Sequence, residues 1–233
     1  MTLTVHHLGV SQSDRVVWLC EELGIEYEFK KYDRSPIMAP PEYKALHPLG
    51  SAPVIEDGEV KIAESGACVE YISQTYGNGR LTIAPGQKGY AEYLYWFHFA
   101  NGTLQPALLL NLSLSRSGLG EDDEIVKRYE GRQKQILEFV DRRLSEVPWF
   151  AGDQFTVADI MNVCCLTTMR CFLKYDIGGY PNILAYLKRV AERDGYKRAM
   201  QKGDPDQNID ELTGAAPPPL PKALAAAVRA RLS

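Results

Sequence analysis

The sequence predicts an α+β domain followed by an all-α helical bundle, and three observations carry that prediction. Asp57-Gly58 lies between two short runs of alternating apolar and polar residues, and Asp-Gly readily takes the positive φ angles of a type I′ turn, so the stretch 51–65 reads as a β-hairpin. A strand, a helix and a second strand precede the hairpin, and a helix follows it. From residue 88 to about 183 the helical period dominates and β-like alternation is absent.

Residues 2–8 read as a strand, and Val16, Leu19, Cys20 and Leu23 then recur at helical spacing until Gly24 stops the helix. Residues 27–32 return to strand-like alternation. Residues 33–46 carry Pro36, Pro40 and Pro41, which leaves a loop with at most a short helix from Pro41 onward. Pro53 caps the entry to the hairpin. Beyond it Ala67, Val69, Tyr71, Ile72 and Tyr76 follow an amphipathic helix that starts at Glu64-Ser65 and ends at Gly77. This βαβ-ββα order is that of a thioredoxin-like domain, over residues 1–80.

Residues 81–87 contain Ala84-Pro85-Gly86 and read as a linker, and residues 88–202 as the all-α domain. The first helix of that domain, residues 90–115, is aromatic-rich and holds Gly102 and Pro106, which should bend it. Acidic residues 121–124 open the next helix and complement its dipole. Thr156 and Asp159 are spaced as a capping box, and Pro181 suits the first position of a further helix. Residues 203–233 form a Pro/Ala-rich tail, an extended linker with a marginal terminal helix.

Composition narrows the function classes. The chain has 233 residues, 45% of them hydrophobic, enough for a buried core. A formal net charge of -4 gives no basic surface for nucleic acid, and no apolar run approaches the ~20 residues of a membrane span. The N-terminus lacks the basic start and apolar core of a secretory signal, so a cytoplasmic protein is expected. Cys20, Cys68, Cys164, Cys165 and Cys171 form no Cys-x-x-Cys pair and no zinc spacing with histidine, which argues for small buried hydrophobes and against thioredoxin-type redox chemistry. His6, His7, His47 and His98 lack metal or triad spacing and are expected to pack or face solvent.

Two pairs of residues suggest a ligand. Unpaired N–H groups and partial positive charge at a helix start suit a carboxylate; Ser65 adds a hydroxyl there and Glu64 suits an ammonium. Together they could grip an α-amino acid head group, although Ser65 serves equally as a helix cap. If Ala52-Pro53 is cis, the bend turns the Ala52 amide and carbonyl outward to pair with an extended peptide.

Leu46-His47-Pro48-Leu49-Gly50-Ser51-Ala52-Pro53 followed by Glu64-Ser65 resembles the glutathione-binding half of the glutathione S-transferases. His6-His7-Leu8, Ser11-Gln12-Ser13-Asp14-Arg15-Val16-Val17-Trp18-Leu19 and Glu21-Glu22-Leu23-Gly24 are similar to the serine-type branch found in fungi and bacteria. The resemblance implies a homodimeric, detoxifying transferase with glutathione as co-substrate, no metal, and a hydrophobic electrophile. It implies that Ala52, beside cis Pro53, pairs with the cysteinyl backbone, and that Glu64 and Ser65 hold the γ-glutamyl end. Ser11, four residues before Arg15, is the implied catalytic residue, donating to the sulfur at the helix start; residues 1–26 contain no tyrosine to compete. Ser13, or capping by either serine, is the alternative. The electrophile is expected against Tyr93, Trp96, Phe97, Leu104 and Met169, though aromatic spacing in a helix also marks core. Ser51 departs from the family, which usually has lysine or glutamine there to contact glutathione, and Arg34 and Lys44 are the candidate substitutes. A non-catalytic ligand-binding protein, a glutathione-dependent peroxidase and a biosynthetic conjugating enzyme are the rival readings.

Overall fold

The computed structural model describes residues 2–232 and divides into two compact units. The first comprises residues 2–81, 191–209 and 219–232; the second comprises residues 82–190 and 210–218.

The first unit begins with β1 (Thr4–Leu8), α1 (Asp14–Leu23), β2 (Glu28–Tyr32), α2 (Pro41–Lys44), β3 (Val54–Asp57), β4 (Val60–Ala63) and α3 (Ser65–Thr75). The sheet runs β2-β1-β3-β4, with β1 parallel to β2 and antiparallel to β3. Central position explains why every residue of β1 is buried, including His6 and His7. α1 ends where the Gly24 N–H bonds back to Cys20 at φ 63°, a left-handed cap that glycine takes without a Cβ penalty.

The hairpin forms as expected but with a different turn. Asp57 pairs with Val60, so the two loop residues are Gly58 and Glu59, and of these only Gly58 has positive φ, at 60°. Glycine at the first central position is the type II′ arrangement, with Asp57 retained in the strand. The Asp57 carboxylate accepts from the Tyr71 hydroxyl at 2.9 Å, a contact that suits its place there.

The second unit contains α4 (Tyr90–Phe99), α5 (Gln105–Leu114), α6 (Glu124–Glu146), α7 (Val157–Leu166) and nearly all of α8 (Pro181–Glu192). The expected bend is a π-helical turn, Ala100–Leu104, closed by Gln105 N–H donating to Ala100 C=O. Pro106 has no N–H for the ordinary bond to Gly102, which favours the wider turn. Asp123 caps α6, its Oδ1 accepting from Ile125 N–H at 2.8 Å. Thr156 and Asp159 form the full capping box on α7, all ten of whose residues are buried.

Three further helices follow: α9 (Asp194–Gly203), α10 (Ile209–Thr213) and α11 (Lys222–Leu232). Contacts group α9 with the first unit, whereas the sequence pattern alone places residues 191–202 with the all-α domain. The reason is chemical complementarity to α1. Tyr196 meets Trp18 edge-on at 4.9 Å, Arg193 bonds both oxygens of Glu22 at 2.8 Å, and Arg198 and Lys202 pair with Glu21. All five cysteines are free and buried, as their apolar neighbours suggest.

Candidate functional site

Strand pairing gathers the candidate residues at one end of the sheet. β3 runs antiparallel to β1 with His6 opposite Val54, so residues 52–53, entering β3, face the chain leaving β1 at Leu8. Val54 also pairs with Ala63, which brings the start of α3 to the same end. The Ala52-Pro53 bond is cis. Ala52 packs against the cluster of Leu8, Ala39, Tyr43 and Val54, and Ser51 is exposed.

The turn between β1 and α1 carries both serines. The half-buried Ser11 hydroxyl donates to the Leu8 carbonyl at 2.7 Å, lies 2.7 Å from Ser13 Oγ, and accepts from Ser13 N–H at 3.2 Å. Ser13 stands at the N-cap of α1 yet makes no side-chain cap bond. Its fully buried hydroxyl turns back to β1 instead, accepting from Leu8 N–H at 3.1 Å and lying 2.9 Å from His7 Nδ1. His7 is therefore placed behind the serines, a position its sequence spacing does not reveal.

Ser65, the first residue of α3, is buried and linked to the start of α1. Arg15, itself 1% exposed, donates from Nη1 to Ser65 Oγ and to Gln12 Oε1, both at 2.9 Å, and the Ser65 hydroxyl reaches Gln12 Oε1 at 3.3 Å. Glu64 beside it is exposed and held at φ 71° and ψ 118°, a costly conformation for an L residue that persists only where its surroundings impose it. Gln12 and Arg15 thus connect the Ser11 turn to Ser65, whereas the sequence reading uses Arg15 only as a spacing marker.

The two candidate substitutes at Ser51 differ. Arg34 donates to the carbonyls of Gly9, Val10 and Ile37 at 2.9, 2.7 and 2.7 Å, so its guanidinium is engaged with backbone. Lys44 is exposed. Among the described residues no group of three or more His, Cys, Asp or Glu is placed to hold a metal ion.

The candidate electrophile residues belong to the second unit. Trp96 is 2% exposed among Phe99, Phe139 and Phe150, and Leu104 is fully buried in the π-helical turn. Tyr93 and Phe97 are also buried, at 8% and 6% exposed, which makes them core residues more than pocket walls, and Met169 is half-buried.

Comparison with known proteins agrees with this architecture. A model of the glutathione S-transferase N-terminal domain matches residues 1–74, and one of the C-terminal domain matches residues 102–194. Glutathione S-transferase 3 of Schizosaccharomyces pombe is 32% identical over 86% of this chain and 87% of its own length. Glutathione S-transferase 1 of Saccharomyces cerevisiae is 29% identical over 86% of this chain and 94% of its own. Among solved structures, a glutathione S-transferase from Actinobacillus pleuropneumoniae superposes with a TM-score of 0.79 at 32% identity, covering 87% of this chain and 93% of the other. A glutathione transferase from Phanerochaete chrysosporium, solved with oxidized glutathione, shares the fold with a TM-score of 0.71 at 24% identity, covering 86% and 94%.

Proposed function

The chain belongs to the glutathione S-transferase family, and from that premise we propose that it binds glutathione at the shared end of β1, β3 and α3. There it activates the thiol as thiolate at Ser11, for attack on a hydrophobic electrophile. The observation that carries the reading is the meeting of three features at one end of the sheet: the hydroxyl turn opening α1, the cis Ala52-Pro53 bond, and the buried Ser65 at the start of α3.

Each feature matches a part of the tripeptide. The Ala52 backbone pairs with the cysteinyl residue, while Ser65 and the N-terminus of α3 receive the γ-glutamyl carboxylate and Glu64 its ammonium. Ser51 has no long side chain, and Lys44 is the exposed cation left to assist. Ser11 donates to the sulfur at the N-terminus of α1, where the helix dipole also favours an anion. A free thiol has a pKa of about 8.5, and each unit of lowering is worth ~1.4 kcal/mol of preference for the thiolate.

We place the electrophile on the helical unit at the half-buried Met169 with Tyr93 and Phe97, and Trp96 and Leu104 supporting them from the core. The working form is a cytoplasmic homodimer, a state that sedimentation of the purified protein measures. No helix among the described residues is long and apolar enough to cross a membrane.

The test is thiolate absorbance of bound glutathione titrated against pH in the wild type and Ser11→Ala. The substitution should raise the bound thiol's pKa and slow conjugation by ~100-fold, with little change in glutathione affinity, as when one preorganised donor is removed. An unchanged titration assigns activation to another group.

A further inference from the structure

Four side chains form a file running inward from Ser11. Ser11 Oγ lies 2.7 Å from Ser13 Oγ, Ser13 Oγ 2.9 Å from His7 Nδ1, and His7 Nε2 3.2 Å from Asp204 Oδ2. The other Asp204 oxygen accepts from Val10 N–H at 3.0 Å. Beyond Ser11 the file is buried: Ser13 and His7 are 0% exposed and Asp204 7%. We propose that Ser13, His7 and Asp204 are a proton relay that receives the thiol proton through Ser11. The inference rests on the Ser11 reading above.

Proton bookkeeping gives the relay its direction. The Asp204 carboxylate, 3.2 Å from His7 Nε2, can only accept, so the relay uses the tautomer with its proton on Nε2 and Nδ1 as the acceptor facing Ser13. Ser13 donates to that nitrogen while accepting from Leu8 N–H. The Ser11 proton rests on the Leu8 carbonyl at 2.7 Å and reaches Ser13 Oγ, also 2.7 Å away, by rotation of the hydroxyl, after which every proton in the file points inward. Ser11 Oγ is left with a lone pair for an incoming S–H.

When the thiol gives its proton to Ser11, the Ser11 proton passes to Ser13 and the Ser13 proton to His7 Nδ1. The result is a thiolate accepting from Ser11 and an imidazolium beside the Asp204 carboxylate. Three O–H or N–H bonds form, and the S–H and two O–H bonds break; nothing is oxidised or reduced. The sulfur lone pair then forms the S–C bond. In a substitution the leaving group departs with its electron pair and the imidazolium proton is released to water; in an addition a proton returns to the adduct.

The surroundings of His7 suit a transient positive charge. Burial pushes the Asp204 carboxyl up, but His7, the Val10 amide and Lys31 together hold it below the usual range, so it stays charged. Phe29 of β2 stacks on the imidazole at 5.7 Å. Gly203, ending α9, lies so close that a Cβ there would stand 3.0 Å from Nε2, and glycine therefore lets Asp204 reach the ring. Lys31 and Arg34 are the cations near Asp204, and both also line a cavity of about 590 Å³ with Asp204, Gln207 and Leu224.

The experiment combines histidine ¹⁵N NMR on the wild type with kinetics of Asp204→Asn, whose amide would donate to Nε2 and reverse the imidazole tautomer. Glutathione binding should convert His7 from neutral to doubly protonated in the wild type, and S-methylglutathione, which has no thiol proton, should not. Asp204→Asn should lower kcat/KM by about 100-fold near neutral pH, the scale of general acid–base catalysis, and recover as pH passes the thiol's ordinary value of about 8.5. Its affinity for S-methylglutathione should match the wild type. A His7 that stays neutral with glutathione bound overturns the relay even if the variant fails to fold. If Ser11→Ala shifts the thiolate titration and Asp204→Asn does not, the relay alone fails; if Ser11→Ala leaves it unchanged, the Ser11 reading fails and the relay with it.

Discussion

Arg15 shows how one buried side chain ties the two halves of the proposed glutathione site together. Its Nη1 serves Gln12 and Ser65 at once, so the Ser65 hydroxyl is oriented before any ligand arrives. Ser65→Ala should therefore weaken glutathione binding by roughly 1–3 kcal/mol, the cost of removing a hydrogen bond to a charged group, and calorimetry measures it. Unchanged affinity would leave Ser65 as a helix-start residue only. Ser13 is the residue at which expectation shifts most. As a helix cap it would cost about 1 kcal/mol of stability and leave the thiol alone. Its hydroxyl instead lies 2.7 Å from Ser11 and 2.9 Å from His7, so Ser13→Ala should raise the bound thiol's pKa, read by the same absorbance titration.

Among the elements, α7 depends most on its first turn. Thr156 N–H donates to Asp159 Oδ2 at 2.9 Å, and Asp159 Oδ1 accepts from Phe150 N–H at 2.9 Å and from the Tyr186 hydroxyl at 3.1 Å. Thr156→Ala should cost about 1–2 kcal/mol in urea unfolding, the range for lost N-caps. Burial pushes the Asp159 carboxyl up to about 6, against these donors. The folded chain thus holds that proton to higher pH than the unfolded chain does. Its contribution to stability is complete below about pH 4, the ordinary range of an aspartate, and is lost as pH rises through about 6. Asp159→Asn should flatten the stability profile over that window, which unfolding at a series of pH values would show.

At the scale of the whole molecule, the chain's return to its first unit matters as much as the βαβ-ββα core. α9 sets Arg193 against Glu22, whose side chain is 9% exposed and also accepts from Trp18 Nε1 at 2.8 Å. Arg193→Ala removes the guanidinium from a nearly buried carboxylate and should cost about 2 kcal/mol, in the range of charged hydrogen bonds, by denaturant unfolding. A neutral result would mean that the Trp18–Tyr196 ring contact and the pairs with Glu21 hold α9 without it.

What the sequence determined by itself is what short-range physics controls. The element order, the Gly24 stop, the bend near Pro106 and the Thr156–Asp159 box arise from preferences acting over a few residues, and each is present. The Ala52-Pro53 bond is cis, as its contiguous motif implies. The type II′ turn required the register of β3 against β4, since shifting the loop by one residue changes which residue needs positive φ. Only the tertiary structure could join Val10 and His7 to Asp204, the first of these pairs separated by 194 positions. No local pattern encodes such a contact: it exists because β1 is central in the sheet, α9 packs along α1, and Gly203 leaves room at their meeting point.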